Sequence, residues 1–232
     1  MALAVKNVPL AKGEFNEEVI AKDTIFIHHT AGSHRPDYTI AGWNSDKLQS
    51  GAKLKVGTSY VMGGLSTTDG DASWDGVICT CFPDKFWAHH LGLKTANNTV
   101  LNEKSIGIEI CNYGPITLSK DGKFYNYVNK IVPANMVVEL PKAFQGYKYY
   151  HKYTDKQIAA LKSLLIDLST RYSINLKEGL SSLLNQGKGA DAFLLNQDAL
   201  AGKPGVWTHT NVRKDKFDCS PQENLMAMLK SL

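Results

Sequence analysis

Residues 105–114 read SIGIEICNYG, and the rest of the chain can be placed around them. Ile106, Ile108 and Ile110 recur at a period of two, which predicts a strand with three isoleucines on one face. Gly107, Glu109 and Cys111 fall on the other face. On this pattern alone, Glu109 reads as a solvent-facing side chain on the polar side of a half-buried strand.

Working outward, TIFIHHTAG (24–32) begins as a β-branched and aromatic run and ends in polar residues, which predicts a strand that stops at its histidines. RPDYTIAGWNSDKLQSG (35–51) spaces Ile40, Trp43 and Leu48 for a short helix closed by Gly51. SYVMGG (59–64) and GVICTCF (76–82) predict two strands joined by a turn-rich loop. Downstream, the polar and aromatic stretch 113–153 has no period that assigns it. YTDKQIAALKSLLIDLSTRY (153–172) predicts an amphipathic helix. Thr154 and Gln157 supply its capping box, and Ile158, Leu161, Leu165, Leu168 and Tyr172 its apolar stripe. Residues 175–204 hold a weak helical core, LSSLL, in Gly- and Asn-rich surroundings and read as an insertion or lid. Ser220 and Glu223 predict a second capping box around Pro221, opening a terminal helix. Residues 1–22 read as an N-terminal extension and 23–232 as one domain. Strands interleaved with helices predict an α/β class with a central mixed sheet flanked by helices.

The bulk composition narrows the function classes. A chain of 232 residues, 43% hydrophobic and 21% charged, can bury a full core. A net charge of +4 is too small to argue for nucleic acid, and no Lys/Arg run alternates with aromatics as a nucleic-acid groove requires. Mild basicity suits a polyanionic partner such as a bacterial wall. No apolar run approaches the roughly 20 residues of a membrane span. MALAVKNVPLAKGEFNEEV lacks a basic region followed by a sustained apolar core, so synthesis in the cytoplasm without a signal peptide is expected. The four cysteines, Cys79, Cys81, Cys111 and Cys219, are expected to be reduced. A monomer is expected.

Two predicted strands end in histidine, IFIHH and VWTH. A strand end is a rigid platform from which an imidazole can reach a cleft. Zinc takes neutral imidazoles with a carboxylate or thiolate and leaves one position to water where it does chemistry. His28, His209 and Asp218 would make such a set, with the adjacent Cys219 as competing third ligand. Spacing alone does not choose this over hydrogen-bonded surface histidines.

The order of the pieces carries more. IFIHHTAG, TSYVMGG, WAHHLG, SIGIEICN and WTHTNVRKDKFDCSP, in that sequence, resemble the zinc-dependent N-acetylmuramoyl-L-alanine amidases. These are the type-2 amidases that share a fold with peptidoglycan recognition proteins and phage lysozyme-type amidases. The resemblance runs from about Asp23 to the C-terminus. It implies Zn²⁺ held by His28, His209 and a third ligand in a Lys-x-ligand pattern with proline just after. Lys216-Phe217-Asp218 with Pro221 fits, which favours Asp218, while Cys219 leaves a one-residue slip open. The resemblance makes Glu109 the acid/base residue and Lys216 a donor to the developing oxyanion. It puts His90 of WAHHLG on the cleft wall, toward substrate. Members that use a tyrosine instead of the glutamate would carry it where this chain has Thr58. The implied partner is bacterial peptidoglycan, and the implied reaction is cleavage of the amide between N-acetylmuramic acid and L-alanine, as in a phage endolysin. A peptidoglycan-binding module without catalysis and a zinc peptidase cutting within the stem peptide are the rival readings.

Overall fold

The computed structural model describes residues 5–232. In chain order, β1 (Val5–Asn7) and β2 (Thr24–His29) precede α1 (Pro36–Ser45), β3 (Tyr60–Met62) and β4 (Ile78–Thr80). Helix α2 (Asn98–Lys104) runs directly into β5 (Ser105–Ile110). Five strands follow: β6 (Pro115–Leu118), β7 (Phe124–Tyr125), β8 (Ile131–Val132), β9 (Val137–Phe144) and β10 (Tyr147–His151). Then come α3 (Asp155–Tyr172), α4 (Leu180–Asn185), α5 (Gln197–Leu200), β11 (Gly205–Thr208) and α6 (Glu223–Lys230).

The main sheet has the order β1-β4-β3-β5-β2-β11, with SIGIEI near its middle. Its pairings are parallel except for β3 with β4, so it is the mixed sheet expected from the sequence. The predicted alternation decides its two faces. Ile25, Ile27, Ile106, Ile108, Ile110 and Val206 face one layer, packed with Leu161, Leu164, Leu165 and Leu168 of α3 and Leu225 and Leu229 of α6. Each fully buried aliphatic side chain there contributes about 1.5–3 kcal/mol of transfer free energy. The opposite face carries Phe26 and Trp207 with Leu91 and Leu101, and next to them Val61, Cys79 and Cys111 with Ile40 and Leu10. All four cysteines are free and buried.

Helix α3 has the predicted box: Thr154 Oγ1 accepts from Gln157 N, and Gln157 Oε1 accepts from Thr154 N. Two expectations need correction. Helix α1 ends at Ser45 because Asp46 turns to extended backbone, and Leu48 stands exposed in the turn beyond. The terminal helix starts at Glu223 with Gln222 as its cap residue, and no capping box forms there. Ser220 Oγ instead accepts from the Gln222 side chain, which also donates to His151 O. The unassigned stretch 113–153 is a second, antiparallel sheet of order β8-β7-β6-β10-β9. It has a small core of its own, Ile116, Val132 and Met136, and sends Leu140, Phe144 and Tyr150 into the main core.

The flanking segments are sewn into the same body. β1 pairs with β4 at the sheet edge, Leu10 is buried, and the Phe15 ring stacks on Phe82 at 5.0 Å. In the stretch expected as an insertion or lid, Leu180, Leu184, Ala192 and Phe193 belong to the main core.

Candidate metal centre and acid/base site

Register puts the functional side chains in one row. Parallel pairing of β2 with β5 sets His28 opposite Glu109, on the face turned away from the isoleucines. β11 pairs Thr208 with Ile27, so His209 emerges beside His28 as the strand ends. There the chain turns into a short 3₁₀ segment, His209–Asn211, fixed by its own polar groups. Asn211 Oδ1 accepts from Thr208 N and Thr208 Oγ1, both at 2.9 Å, and its amide donates to Ala192 O and Leu194 O at 2.8 Å. The following loop returns to the same point, where Thr210 N donates to Asp218 O.

His28, His209 and Asp218 each offer one atom to a group lying within 4.8 Å of one another, and all three are buried. Asp218 Oδ2 is 3.2 Å from His28 Nδ1 and 3.1 Å from His209 Nδ1. The two imidazole rings meet edge to face at 4.6 Å. Burial, joined by the neighbouring His209, lowers the His28 pKa to about 4, so the ring is neutral at pH 7. Burial alone would raise the Asp218 carboxyl, but His209 and His28 hold it well below the ordinary carboxylate range. His209 Nε2 lies 2.8 Å from the Leu91 carbonyl, which can only accept, so Nε2 carries a proton and Nδ1 is the nitrogen turned toward Asp218. Neutral imidazole and ionised carboxylate converging on one point are the donors zinc takes. The residues present therefore fit the metal that the resemblance implied.

Cys219, the competing ligand, is fully buried in the main hydrophobic core. Its neighbour there is the Tyr153 hydroxyl, and burial pushes its thiol up. Geometry thus separates the two adjacent residues, with Asp218 at the centre and Cys219 behind it.

Glu109 is half-buried, and its Oε2 is enclosed without a hydrogen-bond partner. Burial, and then the negative charge of Asp218, raise its carboxyl well above the usual range, while Lys216 pulls the other way. The side chain is therefore not the solvated glutamate of the strand pattern. Lys216 is half-buried and Lys214 exposed. Thr58 is buried with its hydroxyl donated to Tyr60 O, so it offers no phenol-like group to this row.

His90 departs from its expected place toward substrate. Its Nδ1 is 2.9 Å from His28 Nε2 and its Nε2 is 2.9 Å from Ser105 Oγ, so both nitrogens are spent inside the protein. His29, next to His28, lies on the isoleucine face of the sheet, with Nδ1 3.2 Å from Tyr153 OH. Gly114 makes room for it: at φ +74° it takes a left-handed conformation, and a Cβ would stand 2.6 Å from His29 Nε2. Sequence reasoning also missed a cavity of about 260 Å³ lined by His29, Tyr113, Tyr127, Tyr147 and Phe217. Its signal was the density of tyrosine in the unassigned 113–153 stretch.

A family model described as N-acetylmuramoyl-L-alanine amidase matches residues 20–216. Among solved structures, a selenomethionine derivative of AmpD is similar at 17% identity, over 97% of this chain and 93% of its own, with a TM-score of 0.52. PlyL is similar at 12% identity, over 93% and 86%, with a TM-score of 0.47. The Drosophila peptidoglycan recognition protein SD is similar at 14% identity, over 99% and 95%, with a TM-score of 0.46. At this identity the likeness to AmpD is one of fold. No curated protein matches the chain.

Proposed function

The chain belongs to the N-acetylmuramoyl-L-alanine amidase family, and on that premise we propose that it hydrolyses the amide joining the lactyl group of N-acetylmuramic acid to L-alanine of the stem peptide. The observation that carries this reading is a complete donor set, His28, His209 and Asp218, beside the half-buried Glu109, whose Oε2 is enclosed without a hydrogen-bond partner. A zinc ion held there would polarise the scissile carbonyl and bring the pKa of a water toward about 7. Glu109 handles the proton. Its raised affinity suits it to take a proton from the attacking water and return it to the leaving amine. Lys216, near enough for its charge to act on Glu109, donates to the oxyanion, a role typically worth about 3–4 kcal/mol. The aromatic cavity next to Phe217 offers faces against which part of a glycopeptide can pack.

The test is incubation of the zinc-loaded protein with purified sacculi, with and without a chelator. The proposal expects free N-terminal L-alanine on the released peptides and unsubstituted muramic acid on the glycan, both abolished by chelation. Products cut within the stem peptide would make it a zinc peptidase instead. Binding without any product would make it a recognition module. We further infer a lytic role of the phage endolysin type, supported by the likeness of its ordered motifs to phage lysozyme-type amidases. That role predicts chelator-sensitive clearing of permeabilised bacterial suspensions.

A further inference from the structure

We propose that the dipeptide His90–Leu91 sets the tautomer of both metal-facing histidines, the first residue through its ring and the second through its backbone. The relay of contacts begins behind the site, at Ser105. Ser105 Oγ is 2.6 Å from Leu101 O, a carbonyl that can only accept, so the one hydroxyl proton goes there. His90 Nε2 is 2.9 Å from the same oxygen and must be the donor in that contact. His90 Nδ1 is therefore a lone pair, and His28 Nε2, 2.9 Å away, must carry the proton between them. His28 Nδ1 is left bare, 3.2 Å from Asp218 Oδ2. His209 reaches the same state by a shorter route, its Nε2 donating to Leu91 O at 2.8 Å. Both imidazoles then turn Nδ1 inward, toward Asp218 Oδ2 and the point where the three donors converge.

The loop that does this is clamped. Asn102 is fully buried, and its Oδ1 accepts from His90 N at 2.8 Å and Leu91 N at 3.1 Å. Its amide donates to Asn98 O at 2.6 Å, tying the clamp to α2. Gly107 clears the space, since a Cβ there would stand 2.7 Å from Thr58 Cγ2 and 3.2 Å from His90 Cγ. Partners of this kind orient a ligand and raise its basicity, and losing one typically costs about 10–100-fold in metal affinity. His90 is thus a positioning residue. The inference rests on the metal centre proposed above and not on the reaction.

The test needs no substrate. Long-range ¹H–¹⁵N correlation spectra of the zinc-free protein should show the Nε2–H tautomer for His28 and His209. Zinc affinity is then read by competition with a chromophoric chelator. His90→Leu, which keeps the volume and removes the acceptor, should weaken zinc about 10–100-fold. It should mix the His28 tautomers while His209, set by Leu91, stays unchanged. His90→Asn, whose Oδ1 can stand where Nδ1 stood, should stay within a few-fold of wild type. An Nδ1–H tautomer at either histidine of the wild type would overturn the proposal, as would wild-type zinc affinity in a folded His90→Leu protein. If His90→Leu does not fold, the wild-type spectra and His90→Asn decide the matter. Intact tautomers and zinc binding without cleavage of sacculi would remove the amidase reading and leave this one standing.

Discussion

Asp218 and Cys219 are neighbours whose side chains serve different masters, and single substitutions should separate them. Asp218→Asn removes the charge that His28 and His209 face at 3.2 and 3.1 Å, and zinc should no longer be retained through gel filtration, as read by metal analysis. Cys219→Ala sits in the hydrophobic core, so zinc content should be unchanged while the urea midpoint falls by about 1 kcal/mol equivalent. Glu109→Gln should keep zinc and lose about 10²–10⁴-fold in turnover on muropeptides. A zinc-loaded Glu109→Gln protein that cleaves at the wild-type rate would take Glu109 out of the mechanism. At this scale the clustering of His28, His209 and Asp218 was legible from the order of the motifs and the Lys-x-ligand pattern, whereas the strand alternation alone read Glu109 as solvent-facing and gave no sign of its enclosure. The support behind them was not legible. The Leu91 carbonyl is written in no letter at all, and the direction of the Ser105 hydrogen bond exists only once α2 has delivered Leu101 O beside it.

Among the elements, the junction of α2 with β5 is where scaffold and site meet. The helix supplies Asn102 and Leu101 O, and the strand that follows without a linker supplies Ser105, Gly107 and Glu109. The large helix α3 does a different job, holding the isoleucine face. Leu165→Ala there should cost about 2–5 kcal/mol in chemical denaturation, because the emptied site faces packed strands that cannot close in. Thr154→Ala should cost about 1 kcal/mol, since its hydroxyl both caps α3 and donates to Asp75. Helix α3 and the central strands were legible because their apolar periods run long enough to be unambiguous. The second sheet was not: β7 and β8 are two residues each, and β10 shifts register between Tyr147 and Tyr149. A period of two cannot be recognised in so few residues, and a bulge resets it. Its exposed Tyr147 meets Phe217 edge to face at 5.5 Å beside the aromatic cavity. Tyr147→Ala should raise KM for muropeptides several-fold with kcat nearly unchanged.

Over the whole molecule, buried neutral histidines govern the response to acid. Burial lowers His28, His29 and His151 from 6.5 to about 4. Between those values the unfolded chain takes up protons that the folded chain refuses, so stability is full above about pH 6.5 and falls toward pH 4. At pH 5 the loss is on the order of 2 kcal/mol for each such histidine. Asp218, depressed in the fold, adds a loss at still lower pH, whereas Glu109, raised by burial, works in the opposite sense. Urea midpoints of the zinc-free protein at pH 7 and pH 5 should show the fall, and equal midpoints would contradict it. β11 closes the edge of the main sheet and is the last of its strands to be translated, yet it brings His209, and the loop beyond it brings Asp218. A nascent polypeptide on the ribosome, or one truncated before residue 205, therefore carries only His28 of the three donors, and the proposed metal centre would form only once β11 and the loop beyond it are in place.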